Sequence, residues 1–257
     1  MHKYSNLALQ GAPWSVTKAD TAMKCPQKYH FQYVERVKPS GATVVELDDA
    51  PLRIGSAAHS YAEGVAKNKP AKMVLRQVTR KNRLSSTEQE KLGFIIEGVD
   101  EFLERVEKFK STQNIGEDLI EGELAFTADG KPSDYWSDDA FFRWKVDRQL
   151  VSVSKESVAV LDLKTGSASL RWSQDQLNAY AHGAFALYPE AKVVRAGLFS
   201  AQDGAFIWAD PYRREDDKDS STPGFLEEAA TRTTLTDPGE GRHCDWCPYQ
   251  KICPAKQ

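Results

Sequence analysis

Residues 158–166, Val-Ala-Val-Leu-Asp-Leu-Lys-Thr-Gly, constrain this chain more than any other stretch. Four apolar residues run into two charged ones and a glycine, the pattern of a short buried strand that ends at a polar edge. Asp162 and Lys164 stand two apart, so on a strand both leave the same face. Upstream, residues 141–153 also have a strand's pattern. Phe142, Trp144, Val146 and Leu150 are apolar at even positions, and Arg143, Lys145, Asp147 and Gln149 are polar at odd ones. Ser154-Lys155-Glu156 between the runs is turn-like, and a hairpin centred between Ser154 and Lys155 sets Asp147 across from Asp162. Residues paired in that way have Cβ atoms about 4.5–5.5 Å apart. Carboxylates that close repel and raise each other's pKa unless a cation lies between them. A hard divalent ion such as Mg²⁺ or Mn²⁺ prefers oxygen ligands and can polarise a phosphoryl oxygen. A surface hairpin with a plain Asp–Lys pair is the simpler reading of the same residues.

At 257 residues the chain is long enough for one large domain or for a core with an appended module. The net charge of −3 gives no global basic signature for nucleic acid. That argues against a passive DNA-coating protein and still allows an acidic metal site beside a local basic groove. No apolar run approaches a membrane span and residues 1–10 carry no signal-peptide core, so a cytoplasmic protein without membrane contact is expected.

Along the chain, Ser15 or Thr17 would cap a short helix, and Pro26 would interrupt it and start a second. Tyr29, Phe31 and Tyr33 alternate there with Lys24, Lys28, His30, Arg36 and Lys38. Aromatics among cations can stack bases and hold phosphates; they can equally be core aromatics below a solvated basic face. A loop is expected over 41–51 and a helix over 52–67, with His59 and Glu63 on one face. The basic run at 69–84 would line a phosphate groove or remain a solvated face. Apolar residues at helical spacing predict a long helix over 87–110. A strand follows over 119–127 and a polar insertion over 128–140. After Gly166, a helix over 169–188 puts Gln176, Tyr180 and Gly183 on one face and Leu177, Ala181, Ala184 and Tyr188 on another. Strands at 191–200 and 205–210, a charged loop at 213–223 and a short helix at 224–233 complete the order. It is the order of an α/β protein with a central mixed sheet flanked by helices.

The four cysteines make one pattern: Cys25, then Cys244-x2-Cys247-x5-Cys253. In a cytoplasmic chain such clustering favours a metal over disulfides. Four thiolates suit tetrahedral Zn²⁺ or an iron–sulfur cluster, and His243 could replace one thiolate in a zinc site. Spacing leaves the two metals open. No G-x-G-x-x-G follows a strand, which argues against a dinucleotide-dependent redox protein.

Asp147, then Asp162-Leu163-Lys164-Thr165-Gly166, then Gln176-Leu-Asn-Ala-Tyr180 resembles the signature of RecB-like nucleases of the PD-(D/E)XK superfamily. That family has an Asp, a D/E-x-K, and a Q-x-x-x-Y on the next helix. Gly55-Ser-Ala-Ala-His59 is similar to its first motif. Cys25-Pro-Gln-Lys-Tyr-His-Phe-Gln-Tyr-Val34 is similar to the N-terminal motif of those members that carry an iron–sulfur cluster, among them AddB and the fourth CRISPR-associated protein. The resemblance implies a single nuclease domain over 1–257 with a restriction-endonuclease-like core over about 52–235. An iron–sulfur subdomain from 15–39 plus 240–257 would join the N- and C-termini. His59, Asp147 and Asp162 are implied as ligands of Mg²⁺ or Mn²⁺, with the Leu163 carbonyl as a further one. Lys164 would orient the attacking water, and Gln176 and Tyr180 would hydrogen-bond a phosphate or that water. Glu123 stands where the family often has an acidic residue on the first core strand, in contact with the metal through water. Cys25, Cys244, Cys247 and Cys253 would hold a [4Fe–4S] cluster, with zinc as the runner-up. The implied activity is metal-dependent hydrolysis of DNA phosphodiester bonds by an exonuclease on single-stranded ends. Its setting would be recombination, repair or CRISPR spacer acquisition, cellular or phage-encoded, with other proteins of those systems as partners or as a homo-oligomer. The competing expectation is a nuclease-silent DNA-binding or assembly module with a structural cluster. The intact Asp147, Asp162 and Lys164 set argues against it.

Overall fold

The computed structural model describes residues 4–38, 50–215 and 224–256. Of the loop expected over 41–51, residues 41–49 lie outside those residues and Ala50 and Pro51 already belong to a helix; most of the loop expected over 213–223 also lies outside them. By their contacts the residues form two compact units. The first comprises Met1–Asp48, Ala125–Trp144 and Ser220–Gln257, and the second Asp49–Leu124 and Lys145–Asp219.

In the second unit, helices α4 (Ala50–Ala66), α5 (Ala71–Lys81) and α6 (Ser86–Thr112) precede the strands. The helices α1 (Asn6–Leu9), α2 (Val16–Lys24) and α3 (Pro26–Tyr29) belong to the first unit. Ser85 caps α6 in a reciprocal box: its Oγ accepts from the Glu88 amide, and the Glu88 carboxylate accepts from the Ser85 amide at 2.8 Å. Arg53 of α4 closes the same corner, its Nε 3.1 Å from Glu88 Oε1. Leu92, Ile96, Val99, Phe102 and Val106 then recur at helical spacing and are buried against Ile54, Ala57, Ala58 and Tyr61 of α4. Gly98 is required by a close approach, because a Cβ there would stand 1.9 Å from the Ala201 carbonyl oxygen.

The strands are β1 (Ile115–Thr127), β2 (Pro132–Ser133), β3 (Ala140–Ser152), β4 (Ser157–Lys164), β5 (Val193–Ser200), β6 (Ala205–Trp208) and β7 (Tyr212–Arg213). The sheet order runs β2-β1-β3-β4-β5-β6, with β7 also on β5. β3 and β4 pair as an antiparallel hairpin from Val151↔Val158 to Arg148↔Leu161. One step further in that register, Asp147 faces Asp162, as the sequence predicts. β4 and β5 are parallel from Ser157↔Val193 to Lys164↔Ser200, with α7 (Leu170–Leu187) as the crossover. β5 and β6 are antiparallel, so the sheet is mixed.

Two polar residues of β3 depart from the expected alternation. Arg148 and Gln149 are 2% and 0% exposed, and their neighbour Leu150 is buried in the core that the helices form. Arg148 is held there by a two-pronged pair with Asp118, with Nε–Oδ1 at 2.5 Å and a terminal nitrogen to Oδ2 at 2.7 Å. Gln149 Nε2 donates to the Tyr188 hydroxyl at 3.3 Å.

In the first unit, Ser15 caps α2 by accepting from the Lys18 amide, and Pro26 opens α3. The chain continues into one wide turn, His30–Val34, where the Glu35 amide reaches back to the His30 carbonyl. Buried Trp14 exchanges backbone hydrogen bonds with Phe141 and Arg143 at the start of β3. Helix α8 (Gly224–Arg232) lies on α1 and α2. It is not the last element: short 3₁₀ turns follow at Arg242–Trp246, Gln250–Ile252 and Pro254–Lys256. No helix among the described residues is long and apolar enough to cross a membrane.

Candidate active site

The site is built where α4 meets the middle of β1 and β3 and the end of β4. His59 Nδ1 lies 2.9 Å from Asp147 Oδ1 and 3.7 Å from Glu121 Oε1. One ligand atom from each of His59, Glu121 and Asp147 falls within 4.8 Å of the others. The other Asp147 oxygen accepts the Leu163 amide at 2.6 Å, which ties the carboxylate to β4. A second group adjoins it through that peptide. Asp162 is buried, and its Oδ1 accepts from Gln176 Nε2 at 2.8 Å and from the Tyr180 hydroxyl at 3.3 Å. Gln176 Oε1 accepts from Lys164 Nζ at 3.1 Å, so one amide spans the Asp162–Lys164 pair. Lys164 Nζ stands 2.8 Å from Asp162 Oδ2 as an ion pair, yet Oδ2 is buried without an aligned hydrogen-bond donor.

Charge follows from that geometry. Burial alone would lower the His59 pKa, but the hydrogen bonds and charges of Asp147 and Glu121 overcome it and push it up to about 10. The imidazole is therefore a cation held between two carboxylates. Burial raises the Asp162 pKa, and the Asp147 charge raises it further, against the pull of Lys164 and His59. Burial and then the charges of Asp162 and Asp147 hold Tyr180 well above its ordinary value, so it stays a neutral donor. A nitrogen and two carboxylate oxygens converge on one point, and a buried carboxylate oxygen nearby lacks a donor. These residues fit a divalent cation in place of the His59 proton.

Of the residues expected from the sequence, the structure joins His59 with Asp147, and Asp162 with Lys164, Gln176 and Tyr180. Asp162 faces Asp147 in register but stands outside the three-residue ligand group. Glu123 is a correction: it is exposed and pairs with Lys145 at 2.5 Å. Glu121 takes the place beside His59. Its φ of +50° in mid-strand breaks the two-residue alternation, so 121 and 123 do not share a face. Glu63, one turn from His59, pairs with Lys67 instead. On α5, Val74 and Val78 are buried, while Lys72, Arg76 and Arg80 line a shallow groove.

All four cysteines belong to the first unit, and none is in a disulfide. Buried Cys25 caps α3, accepting from the Lys28 amide at 3.3 Å. The C-terminal tail lies directly on it: a Cβ on Gly239 would stand 2.2 Å from the Lys24 carbonyl oxygen and 3.2 Å from Cys25 Cα. Burial raises the Cys247 thiol pKa, and the neighbouring Cys25 and Cys253 add to the rise. Among the described residues no three thiols close to the 4.8 Å span found around His59.

No curated protein matches the chain. A family model does, the PD-(D/E)XK nuclease superfamily, over residues 13–254. The match takes in His59, Glu121, Asp147, Asp162, Lys164, Gln176 and Tyr180, whose geometry is that of a small acidic site with one lysine. By that match, which spans nearly its whole length, the chain belongs to the PD-(D/E)XK nuclease superfamily.

Proposed function

We propose that the protein is a divalent-metal-dependent nuclease that hydrolyses DNA phosphodiester bonds, acting as an exonuclease on single-stranded ends. Superfamily membership supports the nuclease. The observation that carries the site is the convergence of His59, Glu121 and Asp147 beside the Asp162–Lys164 pair. Asp162 Oδ2 and the Leu163 carbonyl would complete the ligands. With one imidazole among the oxygens, the donor set suits Mn²⁺ at least as well as Mg²⁺. Bound there, the cation would polarise a phosphoryl oxygen and offset the charge that develops on it.

The chain's own residues do the positioning. An ammonium has three donors. Lys164 donates one to Gln176 and stands beside Asp162 as an ion pair, and another donor would orient the attacking water toward phosphorus. Gln176 keeps Lys164 and Asp162 at a fixed separation, and the neutral Tyr180 hydroxyl adds a donor to Asp162.

At the other site, Cys25, Cys244, Cys247 and Cys253 would hold a [4Fe–4S] cluster, with zinc as the alternative occupant. The shared unit, the tail lying on Cys25 and the proximity of Cys247 to Cys25 and Cys253 support it. Recombination, repair or CRISPR spacer acquisition is the setting this combination fits. End-labelled single- and double-stranded DNA, incubated with purified protein and Mn²⁺, Mg²⁺ or chelator, tests the activity. Stepwise shortening of the single strand with metal, and none with chelator, is expected; no cleavage with either metal would overturn it.

A further inference from the structure

A cavity of about 640 Å³ lies in the first unit, between α2, the wide turn after α3 and the insertion that follows β2. Lys18, Arg36, Lys38 and Arg143 line it, and among the described residues no acidic side chain does. In other places cations pair with acids, as in Lys24–Asp20, Lys110–Asp118 and Arg148–Asp118. Here Arg143 donates instead to the Ser137 carbonyl, at 2.8 Å. Lys18 is anchored by the Gly11 and Pro13 carbonyls, and its pKa is lowered to about 8, by burial first and then by the charges of Arg143 and Arg36. In a chain of net charge −3, a cavity whose described lining holds four cations and no acid is a place for an anion.

The other half of the lining is flat and aromatic. Trp14 is fully buried, while Trp136 is 74% exposed at the rim. The Arg143 guanidinium is 5.8 Å from the ring centres of both Tyr135 and Trp136, and Lys18 Nζ is 5.6 Å from that of Tyr33. A bare phosphate would need only the cations. Cations interleaved with exposed rings fit a ligand that carries phosphate and a π-face together, and an unpaired base offers a face that a base in a duplex does not. We propose that this cavity, separate from the carboxylate site, holds a nucleotide of single-stranded DNA, its base on Trp136 and Tyr33 and its phosphates on Arg36, Lys38 and Arg143. The choice of DNA rests on the nuclease reading above.

The test is fluorescence anisotropy of a labelled oligothymidylate of about twenty nucleotides, titrated with full-length protein in chelator so that nothing is cut. Trp136→Ala, at an exposed side chain, should weaken binding about tenfold, the worth of one stacked base. Arg36→Ala with Lys38→Ala should flatten the slope of log affinity against log salt by about 1.4, two single-strand phosphates. Unchanged affinity in the first and an unchanged slope in the second would overturn the site. So would a duplex, thymidine monophosphate or inorganic phosphate bound as tightly as the oligothymidylate. Oligouridylate held more tightly would overturn the assignment to DNA. A protein that binds through Trp136 and never cuts refutes the hydrolysis alone; one that cuts while Trp136→Ala binds normally refutes the cavity alone.

Discussion

His59 faces two carboxylates that hold its pKa at about 10, so a cation that takes its Nδ1 at neutral pH must displace a proton. The sign is fixed: below the raised pKa each unit of acid costs metal affinity. Mn²⁺ binding should therefore tighten about tenfold per pH unit between about pH 7 and pH 9, with about one proton released per ion. Calorimetry in buffers of different ionisation heat reads that proton directly, and a pH-independent affinity would mean that His59 is not a ligand. Much of this site is legible in residue spacing. Asp162 and Lys164 are two apart on one strand, Gln176 and Tyr180 are four apart on one helix, and the centre of the hairpin brings Asp147 across from Asp162. Glu121 is not legible, because period-two reasoning puts 121 and 123 on the same face. Only the left-handed φ at Glu121, a backbone feature that a glutamate does not announce, separates them.

The α6 cap binds two helices of the second unit at one carboxylate. Hydrogen bonds from the Ser85 side chain and backbone, and then from Arg53, hold the Glu88 pKa down at about 2. A depressed carboxyl contributes stability above its unfolded pKa and loses it as pH falls through the folded one. Glu88→Gln should melt at a lower temperature than wild type at pH 7, and the gap should shrink below about pH 4.5 and vanish near pH 2. Melting curves across that range check it, and a gap that does not change with pH would contradict it. Helix α6 itself was legible in its apolar spacing, with bounds off by one residue at the start and two at the end. The interior of β3 was less so. Arg148 and Gln149 look solvent-facing in a sequence, and only their partners, the Asp118 carboxylate and the Tyr188 hydroxyl, make room for them.

At the scale of the molecule, the chain passes through its first unit three times, and the cysteines sit in the first and the last of those passes. A metal shared by Cys25 and the three tail cysteines would close a very long loop, and its binding energy would be folding energy. Cys25→Ala or Cys247→Ala should lower the melting temperature and cost solubility, with about four irons and four sulfides lost per chain. A variant as stable and soluble as wild type would contradict the structural role. The mixed α/β order was legible because buried strands and amphipathic helices have distinct periods. The sharing of β1 and β3 between two units was not, since nothing in a continuous strand marks where its neighbours change. The central claim, that Lys164 acts beside a metal rather than holding it, is tested most directly by Lys164→Ala. Mn²⁺ affinity and cleavage of end-labelled single-stranded DNA are measured on the same preparation. Removing a cation from beside Asp162 should leave Mn²⁺ bound at least as tightly, while cleavage falls by about 10²–10³, the cost of one well-placed donor. Wild-type cleavage, or loss of the ion, would contradict the account.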